Sequence, residues 1–395
     1  MIRILKYFIA YLSVQIMQTS IQQLNIGILG GGQLGRMLLQ NAFNLNLNIS
    51  VLDPDKNAPC RDMVKSFTQG SLTDYDTVYA FGKNKDLVTI EIENVNTDAL
   101  KTLEKEGVKV FPQPHIIEMI QDKGLQKMFY QRNNIPSPDF FLIDNRSQIK
   151  KYKDYFPFFQ KLRKGGYDGK GVVRLNKETQ LDKAFDAPSV LERLVDFQKE
   201  LSVIVARSES GEVKCYPVVE CEFNAKANLV EFLFSPANIK KSVEKEALAL
   251  AAEVADKLQI VGLLAVELFL TADGKVLVNE IAPRAHNSGH HTIEGNVTSQ
   301  FEQHLRAILN LPLGDTSIIK SAVMVNLLGE DGFEGKALYQ GLDDVLKFSG
   351  VYVHLYGKAI TKPFRKMGHV TIVDDDILKA KRKAKSVQST LKVIA

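Results

Sequence analysis

Residues 261–291, VGLLAVELFLTADGKVLVNEIAPRAHNSGHH, bring carboxylates and imidazoles together in one stretch. LLAVELFL and KVLVNEIA are apolar and partly β-branched, and Asp273-Gly274 between them signals a two-residue type I′ turn. That turn sets Glu267 directly opposite Glu280 on one face of a hairpin, with Cβ atoms roughly 5 Å apart. Two like charges so placed destabilise a sheet. A hard cation between them removes the conflict, and Mg²⁺ (or Mn²⁺) suits carboxylate oxygens while sharing its shell with substrate phosphates. The pair alone also fits a solvated edge hairpin. The next loop tips the reading, because Arg284, His286, Asn287, Ser288, His290 and His291 crowd donors into it.

A second stretch, Phe158–Arg163, reads as a strand and runs into Lys164-Gly165-Gly166-Tyr167-Asp168-Gly169-Lys170-Gly171. It is not a Walker A loop, since Gly171 stands where Ser or Thr is required. Its backbone N–H groups, with Lys161 behind them, suit a triphosphate. A tight turn without ligand is the plainer alternative. Val190–Val195 reads as a strand end with an acid, Glu192, and Glu200 follows. Such an edge can read an adenine through its backbone and hold a ribose with a carboxylate, or it can be ordinary strand punctuation. A third stretch, Gly30-Gly31-Gly32-Gln33-Leu34-Gly35, has the G-x-G-x-x-G pattern after a short apolar run, with Asp53 ending the next strand.

These residues need elements to position them. The chain has 395 residues, 45% apolar and 24% charged, which is ordinary for a globular protein of two or three domains. A net charge of +4 gives nucleic-acid binding no support. Three cysteines without finger spacing fit free thiols in a reducing compartment, hence the cytoplasm. Residues 1–24 form an extension: Arg3 and Lys6 precede an apolar run too short to span a bilayer, and no small-residue cleavage pattern follows. We expect it to be disordered or loosely helical, with Met17 as an alternative start, and expect no membrane partner.

Residues 25–121 alternate strands and helices as an open parallel sheet of Rossmann-like type. Glu91 and Glu93 share one face after the strand Leu87–Ile90. Gln121–Lys123 and Gln126–Lys127 fall on one expected helix reaching about Asn133. Residues 122–318 hold the glycine loop, antiparallel strands, an amphipathic helix (Val243–Leu258, with Ala247, Leu248, Ala251, Val254, Ala255 and Leu258 inward) and the glutamate hairpin. Residues 319–395 form a small β-rich module with a basic turn around Lys358, Arg365 and Lys366.

Lys161 with GGYDGKG (Gly165–Gly171), AVELF (Ala265–Phe269), NEIAPRAHNSGHHT (Asn279–Thr292) and SQFEQHLRAILNLPLG (Ser299–Gly314) resembles the 5-(carboxyamino)imidazole ribonucleotide synthetase family. These are ATP-grasp ligases of de novo purine biosynthesis. The resemblance covers the chain from about Asn25 onward. Other ATP-grasp enzymes carry Glu-x-Asn on the second metal strand, which Glu280-Ile281-Ala282 lacks. The implied class is α/β and α+β, an ATP-grasp fold with an N-terminal Rossmann-like domain and a C-terminal β-rich module. The implied reaction uses ATP and bicarbonate to carboxylate the amine of 5-aminoimidazole ribonucleotide through carboxyphosphate, and a homodimer is implied as well.

The resemblance also implies residue roles. Lys123, Lys161 and Gly165–Gly171 contact ATP phosphates, with Asn279 beside them. Glu192, Arg193, Leu194 and Val195 hold the adenine, and Glu200 the ribose. Glu220 is a further nucleotide contact. Glu267 and Glu280 bind Mg²⁺. Tyr167, Asp168, Arg284, His286 and Asn287 surround bicarbonate and imidazole. Lys358, Arg365 and Lys366 grip the ribonucleotide phosphate. From their position, Gly30–Gly35 with Glu91 and Glu93 are expected to face the imidazole ribonucleotide across the cleft.

Three positions depart from the family pattern. Lys123 replaces an Arg, Glu220 stands where some members have His, and Phe364 occupies a position usually held by Gly. Two other function classes compete. An NAD-dependent oxidoreductase explains Gly30–Gly35 and Asp53 but not the glutamate pair, and a silent nucleotide-binding regulator requires ablated site positions that are not visible.

Overall fold

The computed structural model describes residues 20–166, 171–224 and 229–395. Most of the expected N-terminal extension lies outside these residues; within them Ile21–Gln23 make one 3-10 turn.

The N-terminal domain is a parallel sheet ordered β3-β2-β1-β4-β5. Its strands are β1 (Asn25–Leu29), β2 (Asn48–Asp53), β3 (Ser66–Gln69), β4 (Leu87–Ile90) and β5 (Lys109–Phe111). β4 is buried along its whole length, as helices on both faces of a parallel sheet require. Helix α1 (Gln33–Asn44) follows the glycine turn. Helices α2 (Tyr75–Gly82) and α3 (Thr97–Lys105) open on Asp74 and Asn96, whose side chains accept N–H bonds from Thr77 and Ala99.

The single helix expected to carry Gln121 through to about Asn133 is broken: α4 (Pro114–Gln121) ends before Asp122 and α5 (Lys123–Arg132) begins after it. Asp122 between them is extended, and its carboxylate caps Gly124 and Leu125. A capping residue must leave helical geometry, so the helix is broken there.

A small lobe follows, an antiparallel sheet ordered β6-β9-β7-β8. It is built from β6 (Phe140–Ile143), β7 (Phe158–Leu162), β8 (Val172–Leu175) and β9 (Ser189–Arg193) around Ile143, Ile149, Phe158, Leu175 and Leu191. The glycine loop joins β7 to β8, as its position between two strands predicts.

The largest sheet has nine strands. It contains β10 (Phe197–Arg207), β11 (Val213–Cys215), β12 (Val219–Asn224), β13 (Leu229–Ser235), β14 (Gly262–Thr271), β15 (Val276–Ala282) and β16 (Ser321–Leu328). Short strands β17 (Gly335–Lys336) and β18 (Leu338–Gln340) lie off it, and so do β20 (Ile360–Thr361) and β22 (Lys392–Ile394); β19 (Val351–Leu355) and β21 (Lys366–Asp374) complete it. β16 pairs with β13, so hydrogen bonding runs unbroken across the boundary expected at residue 319.

Helix α6 (Lys241–Leu258) covers one face of this sheet with Ala247, Leu250, Ala251, Val254, Ala255 and Leu258. Leu250 takes the inward place expected for Leu248, which is only partly buried. The short α7 (Thr292–Gly295) leads into α8 (Gln300–Ile308), capped by Ser299 as the S-x-x-E spacing predicts. α8 covers the opposite face, setting Phe301, Leu305 and Ile308 on Leu263 and Ala265 of β14. Burying each of those three side chains contributes about 2 kcal/mol. The four-residue α9 (Leu342–Val345) and α10 (Ile377–Thr390) close the C-terminal core.

Candidate active site

Side chains alternate along β14, so Glu267 and Phe269 continue the face that α8 covers at Leu263 and Ala265. Beyond the helix that face opens into a cleft. Glu267 stands directly opposite Glu280, as expected from sequence. The turn that delivers this register differs from expectation. Thr271 pairs with Lys275 around a three-residue loop, and Gly274 takes φ +87°. A left-handed glycine closing a three-residue loop is a recurrent hairpin solution. This shortens the register by one, and a β-bulge next to Leu268 restores it. Asn279 is the extra residue. It therefore enters the cleft beside Glu280, while Val278 and Ile281 remain in the core.

Glu200 of β10 lies across from Phe269, and Ser202 lies across from Glu267, so they share the cleft face. Burial pushes the Glu267 carboxyl up, and the charges of Glu280 and Glu200 add to it. Glu280 is held low, chiefly by Lys123, whose Nζ donates to Oε2 at 2.6 Å. Burial raises Glu200 to about 7, with Glu280 contributing. The crowding of acids that a hard cation would relieve is thus present. The donor set fits Mg²⁺ with two carboxylates and the remaining shell supplied by phosphate and water.

His286 shares Nδ1 with Ser288 Oγ at 2.9 Å, and Ser288 shares its hydroxyl with Ser202 at 2.8 Å. His286 Nε2 lies 3.3 Å from Glu267. Asn287 opens the 3-10 turn that follows His286. Arg284 reaches the N-terminal domain, where its Nη2 is 2.9 Å from Glu93. Glu93, expected to face a ligand, here anchors Arg284.

The glycine turn before α1 is filled by the protein's own carboxylates. Asp53 accepts from Gly31 N–H at 2.6 Å and Glu91 from Leu34 N–H at 3.2 Å. A Cβ on Gly32 would lie 2.5 Å from Glu91 Oε1. The glycines therefore admit Glu91 to the helix N-terminus, where a dinucleotide pyrophosphate would sit. That removes the main support for an oxidoreductase. Burial raises the Glu91 carboxyl, with Arg284 opposing.

On the small lobe, Lys161 Nζ donates to Glu192 at 2.6 Å and reaches Asn279 Oδ1 at 3.4 Å. Glu192 is fully buried with both oxygens engaged, the second by Lys127. Its side chain is therefore occupied, and only its backbone is left to read an adenine, together with Leu194 and Val195. Arg193 is exposed beside Asp139. Glu220 is held by Lys199 at 2.7 Å and by Asn238 N–H at 3.2 Å. Gly165 and Gly171 both take left-handed conformations, and Leu162 N–H donates to Gly171 O at the base of the loop, on which Gly166 also lies. Tyr167, Asp168, Gly169 and Lys170 lie outside the described residues.

Lys358 Nζ donates to Lys366 O at 2.8 Å, and Arg365 Nη1 to Ile360 O at 2.7 Å. Gly357 approaches Arg36 of α1, which brings this basic turn to the N-terminal domain. Phe364 takes a left-handed conformation, φ +62°, of the kind that favours glycine. Two partners escaped sequence reasoning. Lys127 was signalled by its i,i+4 spacing from Lys123, and the Asp122–Arg163 pair by nothing local.

Residues 128–301 match the ATP-grasp domain, residues 23–121 the ribonucleotide synthetase preATP-grasp domain, and residues 322–383 the phosphoribosylaminoimidazole carboxylase C-terminal domain. With Lys161 of the small lobe reaching Asn279 beside a facing glutamate pair, the molecule is an ATP-grasp ligase. It is 37% identical to N5-carboxyaminoimidazole ribonucleotide synthase of Bacillus subtilis, over 88% of this chain and 91% of that protein. It is 39% identical to the chloroplastic phosphoribosylaminoimidazole carboxylase of Vigna aconitifolia, over 93% of this chain but 66% of that longer protein. The crystal structure of N5-carboxyaminoimidazole ribonucleotide synthetase from Thermotoga maritima superposes with a TM-score of 0.87 at 43% identity, covering 94% of this chain and all of that one. The Aspergillus clavatus enzyme, solved with ADP and 5-aminoimidazole ribonucleotide, superposes at 0.86 with 32% identity, covering 94% of this chain and 99% of that one. The chain belongs to the N5-carboxyaminoimidazole ribonucleotide synthetase family.

Proposed function

We propose that this protein carboxylates the exocyclic amine of 5-aminoimidazole ribonucleotide, using ATP and bicarbonate, in purine biosynthesis. A bicarbonate oxygen attacks the γ-phosphorus and ADP leaves, giving carboxyphosphate. The amine nitrogen then attacks the carboxyl carbon, either directly or after release as CO₂. The carbon–oxygen bond to phosphate breaks, phosphate departs, and the amine loses a proton. The products are the carbamate, ADP and phosphate.

The observation that carries this reading is the facing Glu267–Glu280 pair, ringed by Lys123, Lys161 and His286 in a chain that matches this family along its length. Glu267 and Glu280 would hold Mg²⁺, which when bound offsets phosphate charge. Lys161 and the glycine loop orient the triphosphate, and the Glu192–Val195 edge and Glu200 hold the nucleoside. Arg284, His286 and Asn287, with Tyr167 and Asp168, surround bicarbonate and the imidazole, excluding water from a labile anion. Lys358, Arg365 and Lys366 take the ribonucleotide phosphate. We further propose a homodimer in the cytoplasm. Among the described residues no helix is long and apolar enough to cross a membrane.

The test is ADP release with ATP, Mg²⁺ and bicarbonate. Stimulation by the ribonucleotide, lost in Glu280→Gln, supports both acceptor and metal pair. Turnover with another amine, without stimulation by the ribonucleotide, overturns the substrate.

A further inference from the structure

One buried carboxylate on the small lobe serves two lysines. Glu192 is 2% exposed and Lys127 4%. Lys161 holds Glu192 Oε1, and Lys127 contacts Oε2. Lys127 belongs to α5 and Lys161 to β7, so the carboxylate ties a helix to the strand that carries the phosphate-facing lysine. Lys161 has a second acceptor at the cleft, Asn279. Lys127 Nζ also lies over the Tyr130 ring, 5.7 Å from its centroid.

A lysine that grips a nucleotide phosphate must loosen its hold on Glu192. Breaking a buried pair leaves an uncompensated charge, which is strongly unfavourable. A second cation already in place removes that obstacle.

We propose that Lys127 is a positioning residue: it keeps Glu192 neutralised, and so frees Lys161 to turn from Glu192 to the phosphates of ATP. The proposal rests on the ATP-site reading above. The ionisation of the group agrees with it. Burial lowers Lys127 while Glu192 opposes this, and burial works to raise Glu192 but Lys161 and Lys127 together hold it low. Two cations thus share one buried acid, so one lysine can leave without stranding it.

The test measures ATP and ADP binding by calorimetry on the full chain, with KM and kcat for ATP alongside. Lys127→Met should weaken binding about tenfold, equivalent to about 1.4 kcal/mol. KM for ATP should rise with the dissociation constant, and kcat should change less. The double variant Lys127→Met/Glu192→Gln should recover to within about threefold of wild type, because no lone acid remains to hold Lys161. Lys127→Arg, which keeps the charge, should lose less than Lys127→Met. Binding by Lys127→Met within about twofold of wild type overturns the proposal. So does a double variant as weak as the single one, which is the pattern of a packing role. If Lys127→Met does not fold, the double variant carries the test, and a tenfold loss in it overturns the proposal. A folded wild type that binds neither nucleotide overturns the ATP-site reading itself, a result distinct from failure of the variants.

Discussion

Arg163 grips Asp122 through two parallel hydrogen bonds, Nε to Oδ1 at 2.8 Å and Nη2 to Oδ2 at 2.7 Å. The same carboxylate caps α5 through Gly124 and Leu125, and Lys123 N–H donates to Arg163 O. The base of the glycine loop is thereby fixed to the helix that carries Lys123 and Lys127. Burial works to raise Asp122, but the Arg163 bond and the helix amides win and lower it. A carboxylate lowered in the folded state adds stability that is complete above its unfolded pKa near 3.9 and lost as pH falls through the folded value.

Asp122→Ala should cost about 2–4 kcal/mol, combining a lost cap with a broken charge-assisted pair. Its deficit relative to wild type should shrink as pH falls below about 3.9, where the unfolded carboxylate takes up a proton that the folded one still refuses. Urea denaturation at pH 7 and pH 3.5 checks both; an equal deficit at the two values rejects the capping account.

The facing glutamates predict a trade between stability and function. Glu267 is raised by burial and by Glu280, so without a cation the charged pair opposes folding increasingly as pH rises. Glu267→Gln should raise Tm at pH 8 by roughly 1–3 °C in metal-free buffer. It should also lower ADP release at least about a hundredfold. Thermal melts with and without Mg²⁺ and ADP test this, and a variant less stable than wild type in metal-free buffer contradicts it.

Deleting Asn279 should give a regular β14–β15 ladder that still places Glu280 opposite Glu267, because the bulge supplies only one extra residue. The deletion should fold and keep the two glutamates face to face. Lys161 would lose its second acceptor, and KM for ATP should rise several-fold, about 1 kcal/mol. A deletion variant that folds with unaltered KM would show that Asn279 does nothing for the nucleotide.

This strand shows how far sequence reasoning reached. The alternation of LLAVELFL and KVLVNEIA sufficed to place the two glutamates face to face. The turn has three residues rather than two, and the bulge cancels that difference, so the pairing came out right through two compensating offsets. The Rossmann-like sheet was legible from its buried apolar strands. The filling of the glycine turn was not, because Asp53 and Glu91 arrive from distant strands. The break at Asp122 also depended on a partner, Arg163, on another element. Lys127 was visible on the helix face but could be given no task until Glu192 was seen beneath it.

Imidazoles buried at the junctions make stability fall in mild acid. His291 and His304 are both lowered to about 4 by burial. His304 shares Nε2 with Thr89 of the N-terminal domain at 2.9 Å. His369 packs between His290 and His354, with ring centroids 4.7 and 4.4 Å away, and burial also lowers His290 and His369. The unfolded chain binds protons here near pH 6.5 while the folded chain refuses them, so stability is lost as pH falls below that value. At pH 5, His291 and His304 should each cost roughly 2 kcal/mol. Denaturant midpoints between pH 7 and 5 check this, and a flat profile refutes it.

The union of β13 with β16 has a consequence for any attempt to divide the molecule. Phe232, Leu233 and Phe234 pair with Val325, Met324 and Val323, all buried. A chain stopped before Ser321 would bare this apolar row and its unpaired N–H and C=O groups. Such an edge is a template for strand addition from another copy. The C-terminal segment is therefore also a selvedge, without which the cloth would join to its neighbour.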